Sequence, residues 1–456
     1  MAIMRGRKIG MIFQEPMSAL NPTMRVGVQV AEGMIFHESI SEASAKERVI
    51  SLFKEVKIPQ PEKAFDKYPH EMSGGQRQRV MIAMALSCEP NIIIADEPTT
   101  ALDVSVQKAV LDLLKEILEK RQIGLVFISH DLAVVSSIAN TICVMQKGQI
   151  VEQGEVAKVL QTPTHPYTQG LLACRPAGKK KGERLETLSS QAASLDKSQR
   201  RLEKDGSVVL KVKQLTKQYG SFNAVNQVNF EIRKGETLGL IGESGCGKTT
   251  LSRMMMGLLP VSSGEVMWRE ELLTDQRHSF PKKMRQKMQM VFQDPFSSLN
   301  PKLTIGRLLM EPMEIHQIGN GKEERWQKAV QWLTKVGLPD PVGAMKKYPH
   351  SFSGGQRQRI VIARALASEP ELLICDESVA ALDVSVQAQV LNLLNDLKEE
   401  FQLTYLFISH DLHVVRYMSD RVMVMQRGEI VEMGDTEAVF SNPQNEYTKT
   451  LLAAAI

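Results

Sequence analysis

Short apolar runs alternate with longer amphipathic stretches along most of this chain. Residues 237–241, 372–375 and 405–408 are almost entirely apolar and four or five residues long. Runs of this length predict buried strands, and residues 386–394, with apolar side chains three or four positions apart, predict a helix. Strands that alternate with helices in this way indicate α/β domains with a largely parallel sheet.

The chain also contains an internal repeat, in which the same motifs occur twice at an offset of 280 residues (353 − 73 = 280). The matched sets are Ser73-Gly74-Gly75-Gln76 with Ser353-Gly354-Gly355-Gln356, Asp96-Glu97 with Asp376-Glu377, Asp103 with Asp383, and His130 with His410. A near-constant offset across more than a hundred residues indicates two copies of one domain. We expect a first domain over residues 1–174, a linker over 175–207 and a second domain over 208–456.

The second copy is expected to be whole and the first incomplete. Met1 aligns near Phe280, so the first copy has no counterpart of residues 208–280, and no G-x-x-x-x-G-K pattern precedes Gly242. The sequence therefore predicts an N-terminally truncated first domain without a phosphate-binding loop.

One stretch has the complete G-x-x-x-x-G-K-[ST] pattern between a predicted strand and a predicted helix. Its residues are Gly242, Glu243, Ser244, Gly245, Cys246, Gly247, Lys248, Thr249 and Thr250. The glycines let backbone N–H groups surround an anion, and the helix that follows adds the positive end of its dipole. Lys248 supplies a charge for the outer phosphates and Thr249 a magnesium ligand. The stretch predicts a nucleoside triphosphate site; the alternative is a structural turn that opens an ordinary helix.

Polar residues follow three of the predicted strands and should meet at the carboxyl edge of the sheet, where phosphate ligands bind. Asp376 and Glu377 close one strand, His410 follows another and Gln293 follows a third. Asp376 suits the magnesium shell, and Glu377 suits the polarisation of an attacking water. His410 could contact the γ-phosphate, and Gln293 could reach either magnesium or the water.

Two further features complete the candidate site. Tyr219 lies 23 residues before Gly242 (242 − 219 = 23), where its ring could stack on adenine, although a core tyrosine is the alternative. The Ser-Gly-Gly-Gln motif at residues 353–356, which repeats the one at 73–76, opens a predicted helix and predicts a second anion site at a helix N-terminus.

Composition narrows the class of protein. With 456 residues, 43% hydrophobic, and a net charge of +4, the chain is ordinary for a soluble globular protein, and its charge is too small to argue for nucleic acid. No apolar run approaches the roughly 18 residues of a membrane span, and no secretory signal opens the chain.

Five scattered cysteines predict small buried side chains rather than disulfides or zinc. Residues 175–206 carry nine Lys or Arg against five acidic residues, which favours a solvated linker over a membrane or partner contact.

The motifs and their order along the chain resemble those of the ATP-binding cassette (ABC) family. In order, they are the phosphate loop, the glutamine loop, the Ser-Gly-Gly-Gln signature, the strand-end Asp-Glu pair, the Ala-Leu-Asp loop and the strand-end histidine. The resemblance implies P-loop NTPase domains in tandem, each with a mainly parallel core sheet and a helical subdomain. It also implies that ATP and Mg²⁺ bind between cassettes paired head to tail within the chain, with a homodimer also possible. The implied composite site joins Tyr219, residues 242–250, Gln293, Asp376, Glu377 and His410 with residues 73–76, and places Asp103 and Asp383 between the cassettes.

The segments at residues 14–22 and 293–301 and the tails around Tyr167 and Tyr447 are similar to those of peptide and nickel importers. Fused pairs of this kind resemble the ATPases of Yej-type peptide importers and of their glutathione-importer relatives. This resemblance implies a peripheral subunit on the cytoplasmic face of the inner membrane. Such a subunit energises oligopeptide uptake through two permease subunits and a solute-binding protein, without nucleic acid. The alternatives are a soluble twin cassette that acts on ribosomes or nucleic acid, and an inactive truncated product.

Overall fold

The computed structural model describes residues 4–99, 104–188, 206–274, 280–379 and 382–454. It divides into two compact units, residues 1–165 with 454–456, and residues 166–453. The division falls before residue 174, where the sequence places the end of the first domain, and residues 166–188 belong to the second unit. Asp103 lies outside the described residues.

The first unit contains a parallel three-stranded sheet in the order β1-β2-β3 and a separate antiparallel hairpin of β4 and β5. Apolar residues of the helices cover the sheet, with Phe53, Ile82 and Ile93 fully buried. The strands are Ile9–Ile12 (β1), Ile92–Asp96 (β2), Gly124–Ile128 (β3), Thr141–Gln146 (β4) and Gln149–Glu155 (β5). The helices are Pro16–Ala19 (α1), Val26–Glu38 (α2), Glu42–Glu55 (α3), Pro61–Ala64 (α4), Gly74–Leu86 (α5), Val104–Arg121 (α6), Leu132–Ile138 (α7) and Val156–Gln161 (α8), with a 3₁₀ turn at Pro69–Glu71.

The second unit contains a six-stranded sheet in the order β11-β12-β13-β8-β14-β15, parallel except for β15, and an antiparallel four-stranded sheet in the order β10-β9-β6-β7. The strands are Val208–Tyr219 (β6), Phe222–Arg233 (β7), Thr237–Ile241 (β8), Ser263–Trp268 (β9), Glu271–Leu272 (β10), Met288–Val291 (β11), Leu372–Asp376 (β12), Thr404–Ile408 (β13), Arg421–Gln426 (β14) and Glu429–Asp435 (β15).

Twelve described helices of this unit, α9 to α20, accompany these sheets, together with a 3₁₀ turn at Pro349–Ser351. They are Pro166–Ala173 (α9), Lys248–Met255 (α10), Lys282–Lys287 (α11), Pro295–Ser298 (α12), Ile305–Ile315 (α13), Lys322–Lys335 (α14), Pro341–Ala344 (α15), Gly354–Leu366 (α16), Val384–Phe401 (α17), Leu412–Met418 (α18), Thr436–Ser441 (α19) and Glu446–Ala453 (α20). The apolar runs that predict strands at 237–241, 372–375 and 405–408 form β8, β12 and β13, which are buried throughout.

The two units repeat the same elements at the offset of 280 residues, and β2, β3 and α5 match β12, β13 and α16. The sheet environments differ, however. β13 lies between β12 and β8, whereas among the described residues of the first unit β3 pairs with β2 alone. Val126 on β3 is consequently 51% exposed, while its counterpart Leu406 is fully buried. The tandem α/β architecture is confirmed.

None of the described helices combines the length and apolar character that crossing a bilayer requires. The expectation of buried cysteines is wrong for Cys143, which is exposed on β4, although the other four are buried and all five are free thiols.

Candidate functional site

The phosphate loop connects β8 to α10 and folds tightly against neighbouring backbone. Gly242 (φ +152°) and Gly247 (φ +114°) lie at the two ends of the loop in conformations that L side chains rarely adopt. A Cβ atom at Gly242 would lie 2.2 Å from the Met425 carbonyl oxygen, and one at Gly247 would lie 2.4 Å from the Ala224 carbonyl oxygen. Glycine is therefore required at both positions by close backbone approach as well as by φ.

Lys248 begins α10 and is only 6% exposed. Its ammonium group donates hydrogen bonds to the carbonyl oxygens of Gly242 at 2.8 Å and of Glu243 at 2.9 Å. The charge is thus held beneath the loop at the N-terminus of a helix, a position that favours phosphate oxygens.

Tyr447 on α20 also contacts the loop, although no local pattern in the sequence predicts this contact. The Glu243 backbone N–H donates a hydrogen bond of 3.1 Å to the Tyr447 hydroxyl oxygen. The available signal was the recurrence of this tyrosine as Tyr167 in the two tails. Tyr447 therefore joins the C-terminal helix to the candidate nucleotide site.

Asp376 ends β12 beside the loop and is 4% exposed. Burial and the neighbouring Glu377 carboxylate raise the pKa of Asp376 to about 6, although Arg253, Lys248 and a hydrogen bond with Thr249 oppose the shift. Burial destabilises the ionised form of this carboxylate, and a bound cation would offset that destabilisation. Asp376 and Thr249 supply oxygen donors of the kind that magnesium prefers, so they fit such an ion.

Glu377 has a positive φ of 47°, which is uncommon outside glycine and occurs at functional sites. Its carboxylate accepts a hydrogen bond of 2.6 Å from the Gln293 amide nitrogen and lies 3.7 Å from His410 Nδ1. Burial raises the pKa of Glu377, but His410, Lys248 and Gln293 outweigh it, and the pKa lies below its ordinary value. Glu377 is thus ionised and able to accept a proton from water.

His410 shows the reciprocal effect. Burial lowers the pKa of His410, but the Glu377 carboxylate and Asp411 raise it by more, and the pKa lies above its ordinary value. The predicted Gln293, Asp376, Glu377 and His410 therefore meet at one edge of the six-stranded sheet.

The first unit contains a matching group at residues 14, 97 and 130. Glu97 accepts a hydrogen bond of 2.8 Å from the Gln14 amide and lies 2.9 Å from His130 Nδ1. Glu97 also has a positive φ, 44°. Both units therefore contain the polar edge. Among the described residues, the phosphate loop lies in the second unit.

Each Ser-Gly-Gly-Gln motif caps the helix that follows it. Ser73 Oγ accepts a hydrogen bond from the Gln76 N–H at 3.3 Å, and the Gln76 side chain accepts one from the Ser73 N–H at 3.2 Å. This reciprocal pair is a capping box. A Cβ atom at Gly75 would lie 2.7 Å from Val106, so the second glycine allows close packing against α6. Gly74 lies between them at the first position of the helix.

Tyr219 ends β6 and is 51% exposed, so it is not a core residue. The Lys217 ammonium lies 5.1 Å from the centre of its ring. The ring is accessible, and its contact with adenine stays a prediction.

Comparison with known proteins places these features in a family. Residues 2–100 and 225–380 match the ABC transporter family, and residues 151–201 and 431–456 match the oligopeptide/dipeptide transporter C-terminal region. The chain is 45% identical over 471 residues to the glutathione import ATP-binding protein GsiA of Salmonella paratyphi A, across 99% of this chain and 75% of the relative. It is 44% identical over 469 residues to the same protein of Escherichia coli K12, with the same coverage.

A solved cassette, CbiO1 from Clostridium perfringens, is described as part of the CbiONQ ABC transporter complex. It is 28% identical, with a TM-score of 0.46 over 52% of this chain and 92% of the cassette. The family match covers more than half of the chain and includes the phosphate loop, both signatures and both strand-end Asp-Glu pairs. The chain therefore belongs to the ABC transporter family, in which it is an ATPase subunit with two tandem ATP-binding cassettes.

Proposed function

We propose that this chain hydrolyses MgATP at a composite site and thereby energises the import of short peptides. The observation that carries the proposal is the meeting of the phosphate loop with Asp376, Glu377, Gln293 and His410 in a chain whose tails match oligopeptide/dipeptide transporters. Lys248 and the loop N–H groups would hold the phosphates. Thr249, Asp376 and the carbonyl oxygen of Gln293 would bind magnesium.

Glu377 would take a proton from the attacking water, and His410 would orient Glu377 and contact the γ-phosphate. The ring of Tyr219 would stack on adenine. Ser73, Gly74, Gly75 and Gln76 would complete the site from the other cassette, because a capped helix N-terminus offers N–H groups to phosphate oxygens. The three proposed domains remain residues 1–174, 175–207 and 208–456.

The partners would be two membrane permease subunits and a solute-binding protein, with the chain bound peripherally at the cytoplasmic face of the inner membrane. The tails support this assignment over a ribosomal or nucleic-acid role. The relatives' names identify glutathione as their cargo, so glutathione and other short peptides are the first substrates to test. Failure of the chain to enter the membrane fraction on co-expression with its permeases would contradict the assignment.

The composite site is tested by a matched pair of substitutions in the two signatures. Ser73→Arg should reduce ATP hydrolysis about 100-fold, because the signature of the first copy contacts the γ-phosphate held at Lys248. Ser353→Arg should leave it within about twofold. Both changes remove an equivalent helix cap, worth about 1 kcal/mol, so a simple loss of stability would affect them equally. A silent Ser73→Arg variant would show the pairing to be wrong.

A further inference from the structure

Residues 181–185, here called the strap, lie on the second unit although their composition favours a solvated linker. Leu185 is 2% exposed and Asn392 on α17 is 5% exposed. The Leu185 N–H donates to Asn392 Oδ1 at 3.0 Å, and Asn392 Nδ2 donates to the Leu185 carbonyl oxygen at 2.8 Å. One side-chain amide thus satisfies both backbone groups of a buried residue.

Three further polar contacts hold the residues of the strap that precede Leu185. They are a hydrogen bond from the Tyr417 hydroxyl to the Glu183 carbonyl oxygen at 2.7 Å, the Arg184–Asp396 ion pair at 2.8 Å and the Lys181–Asp420 ion pair at 2.7 Å. The strap contributes the positive charges and the cassette contributes the negative ones. Hydrogen bonds and ion pairs therefore join four of the five strap residues to the cassette.

The Asp420 end of this surface is tied into the core sheet. Asp420 also accepts a hydrogen bond from the Thr237 N–H at 2.8 Å, at the start of β8, and pairs with Lys398 at 3.3 Å. Lys398 in turn donates to the Thr237 hydroxyl at 2.7 Å. The strap is therefore fixed to the strand that leads into the phosphate loop, at the end opposite to that loop.

The first copy of the domain does not carry the same surface. At the offset of 280 residues, the positions of Asn392, Asp396, Tyr417 and Asp420 hold Asp112, Glu116, Ser137 and Asn140. A carboxylate at 112 cannot donate to a backbone carbonyl, Ser137 has no ring to extend its hydroxyl, and Asn140 is neutral. Glu116 keeps its charge but pairs with Lys57 at 2.8 Å. The strap surface is thus particular to the second copy.

We propose that the second cassette carries a docking site for the strap, formed by Asn392, Asp396, Tyr417 and Asp420. The strap falls within residues 151–201, which match the transporter C-terminal region. The tail of the first copy is therefore anchored on helices α17 and α18 of the second. Helix α18 begins directly after Asp411, the neighbour of His410, so the strap contacts a helix that starts at the edge formed by Gln293, Asp376, Glu377 and His410.

Limited proteolysis of the full chain tests the proposal, because trypsin cleaves after Lys181 and Arg184 and a docked strap resists it. Asn392→Asp installs the residue of the first copy and removes the donor to Leu185. Cleavage after Arg184, followed by mass spectrometry, should become at least tenfold faster, and the Leu185 amide should exchange its hydrogen faster. Glu399→Gln, an exposed change on the same helix, should alter neither rate.

A second variant separates undocking from damage to the cassette. Leu185→Ser lies in the strap and leaves α17 unchanged, and it should accelerate cleavage as much as Asn392→Asp does. The double variant should be no faster than either single one, because either change alone releases the same segment. Cleavage within twofold of the unmodified chain for Leu185→Ser, or equal acceleration by Glu399→Gln, would overturn the proposal.

Discussion

Replacing Glu377 by glutamine should separate nucleotide binding from hydrolysis. The substitution preserves the size of a side chain that is 18% exposed and lies 2.6 Å from Gln293, but it removes the carboxylate that accepts a proton from water. General-base catalysis typically contributes 10²–10⁴-fold, so hydrolysis should fall by that factor, or about 3 to 5 kcal/mol of activation free energy. Nucleotide binding should persist, because no atom of the phosphate loop changes.

Removal of the Glu377 carboxylate should also affect magnesium binding. The Glu377 carboxylate is one of the groups that raise the pKa of Asp376. Its removal should lower that pKa and leave Asp376 more fully ionised at neutral pH. Magnesium-dependent ATP binding by Glu377→Gln, measured by equilibrium dialysis, should therefore be at least as tight as in the unmodified chain.

Glu97→Gln is the matched control, since Glu97 makes the corresponding contacts with Gln14 and His130 in the first unit. Steady-state phosphate release should stay within about twofold, because this chain has no phosphate-loop motif before Gly242. If Glu97→Gln were as damaging as Glu377→Gln, the assignment of hydrolysis to the second unit's edge would be refuted. Binding lost together with hydrolysis in Glu377→Gln would refute the proton-acceptor role.

Tyr447→Phe should weaken ATP binding roughly fivefold with little change in kcat, because it removes one hydrogen bond to the phosphate loop, worth about 1 kcal/mol. Steady-state kinetics that measure KM and kcat separately distinguish an effect on binding from an effect on turnover. Because Asp376 has a pKa of about 6, its protonation should weaken magnesium binding about tenfold per pH unit below that value. The contribution of Asp376 to stability should fall as pH rises from about 4 to 6, because the folded state retains a proton that the unfolded state has lost. Asp376→Asn should abolish both effects, as measured by metal titration and by pH-dependent unfolding. Hydrogen exchange should be faster in β3 than in β13, because β3 pairs with β2 alone among the described residues of its unit; equal protection would contradict this.

The polar edge of the six-stranded sheet was predictable because its signals are local. Asp376, Glu377 and His410 each follow a run of buried apolar residues, and parallel strands carry such residues to one edge. The glycines of the phosphate loop and the caps at Ser73 and Ser353 likewise depend on residues close in sequence. These interactions need little knowledge of the rest of the fold.

The missed contacts join distant parts of the chain. Tyr447 meets Glu243 across 204 residues, and Asn392 meets Leu185 across 207. Nothing in the polar composition of residues 175–188 indicates that one leucine in it is buried. The same applies to Tyr219, whose exposure depends on how β6 ends and could not be read from its spacing to Gly242.

The left-handed backbone at Glu97 and Glu377 has a consequence for engineering. A non-glycine residue in that conformation is typically about 1 kcal/mol or more less stable than one in an ordinary conformation. Glycine or asparagine tolerates it better. Residue 97 is therefore a place where the first unit could be made more robust, whereas the same change at residue 377 would exchange activity for stability.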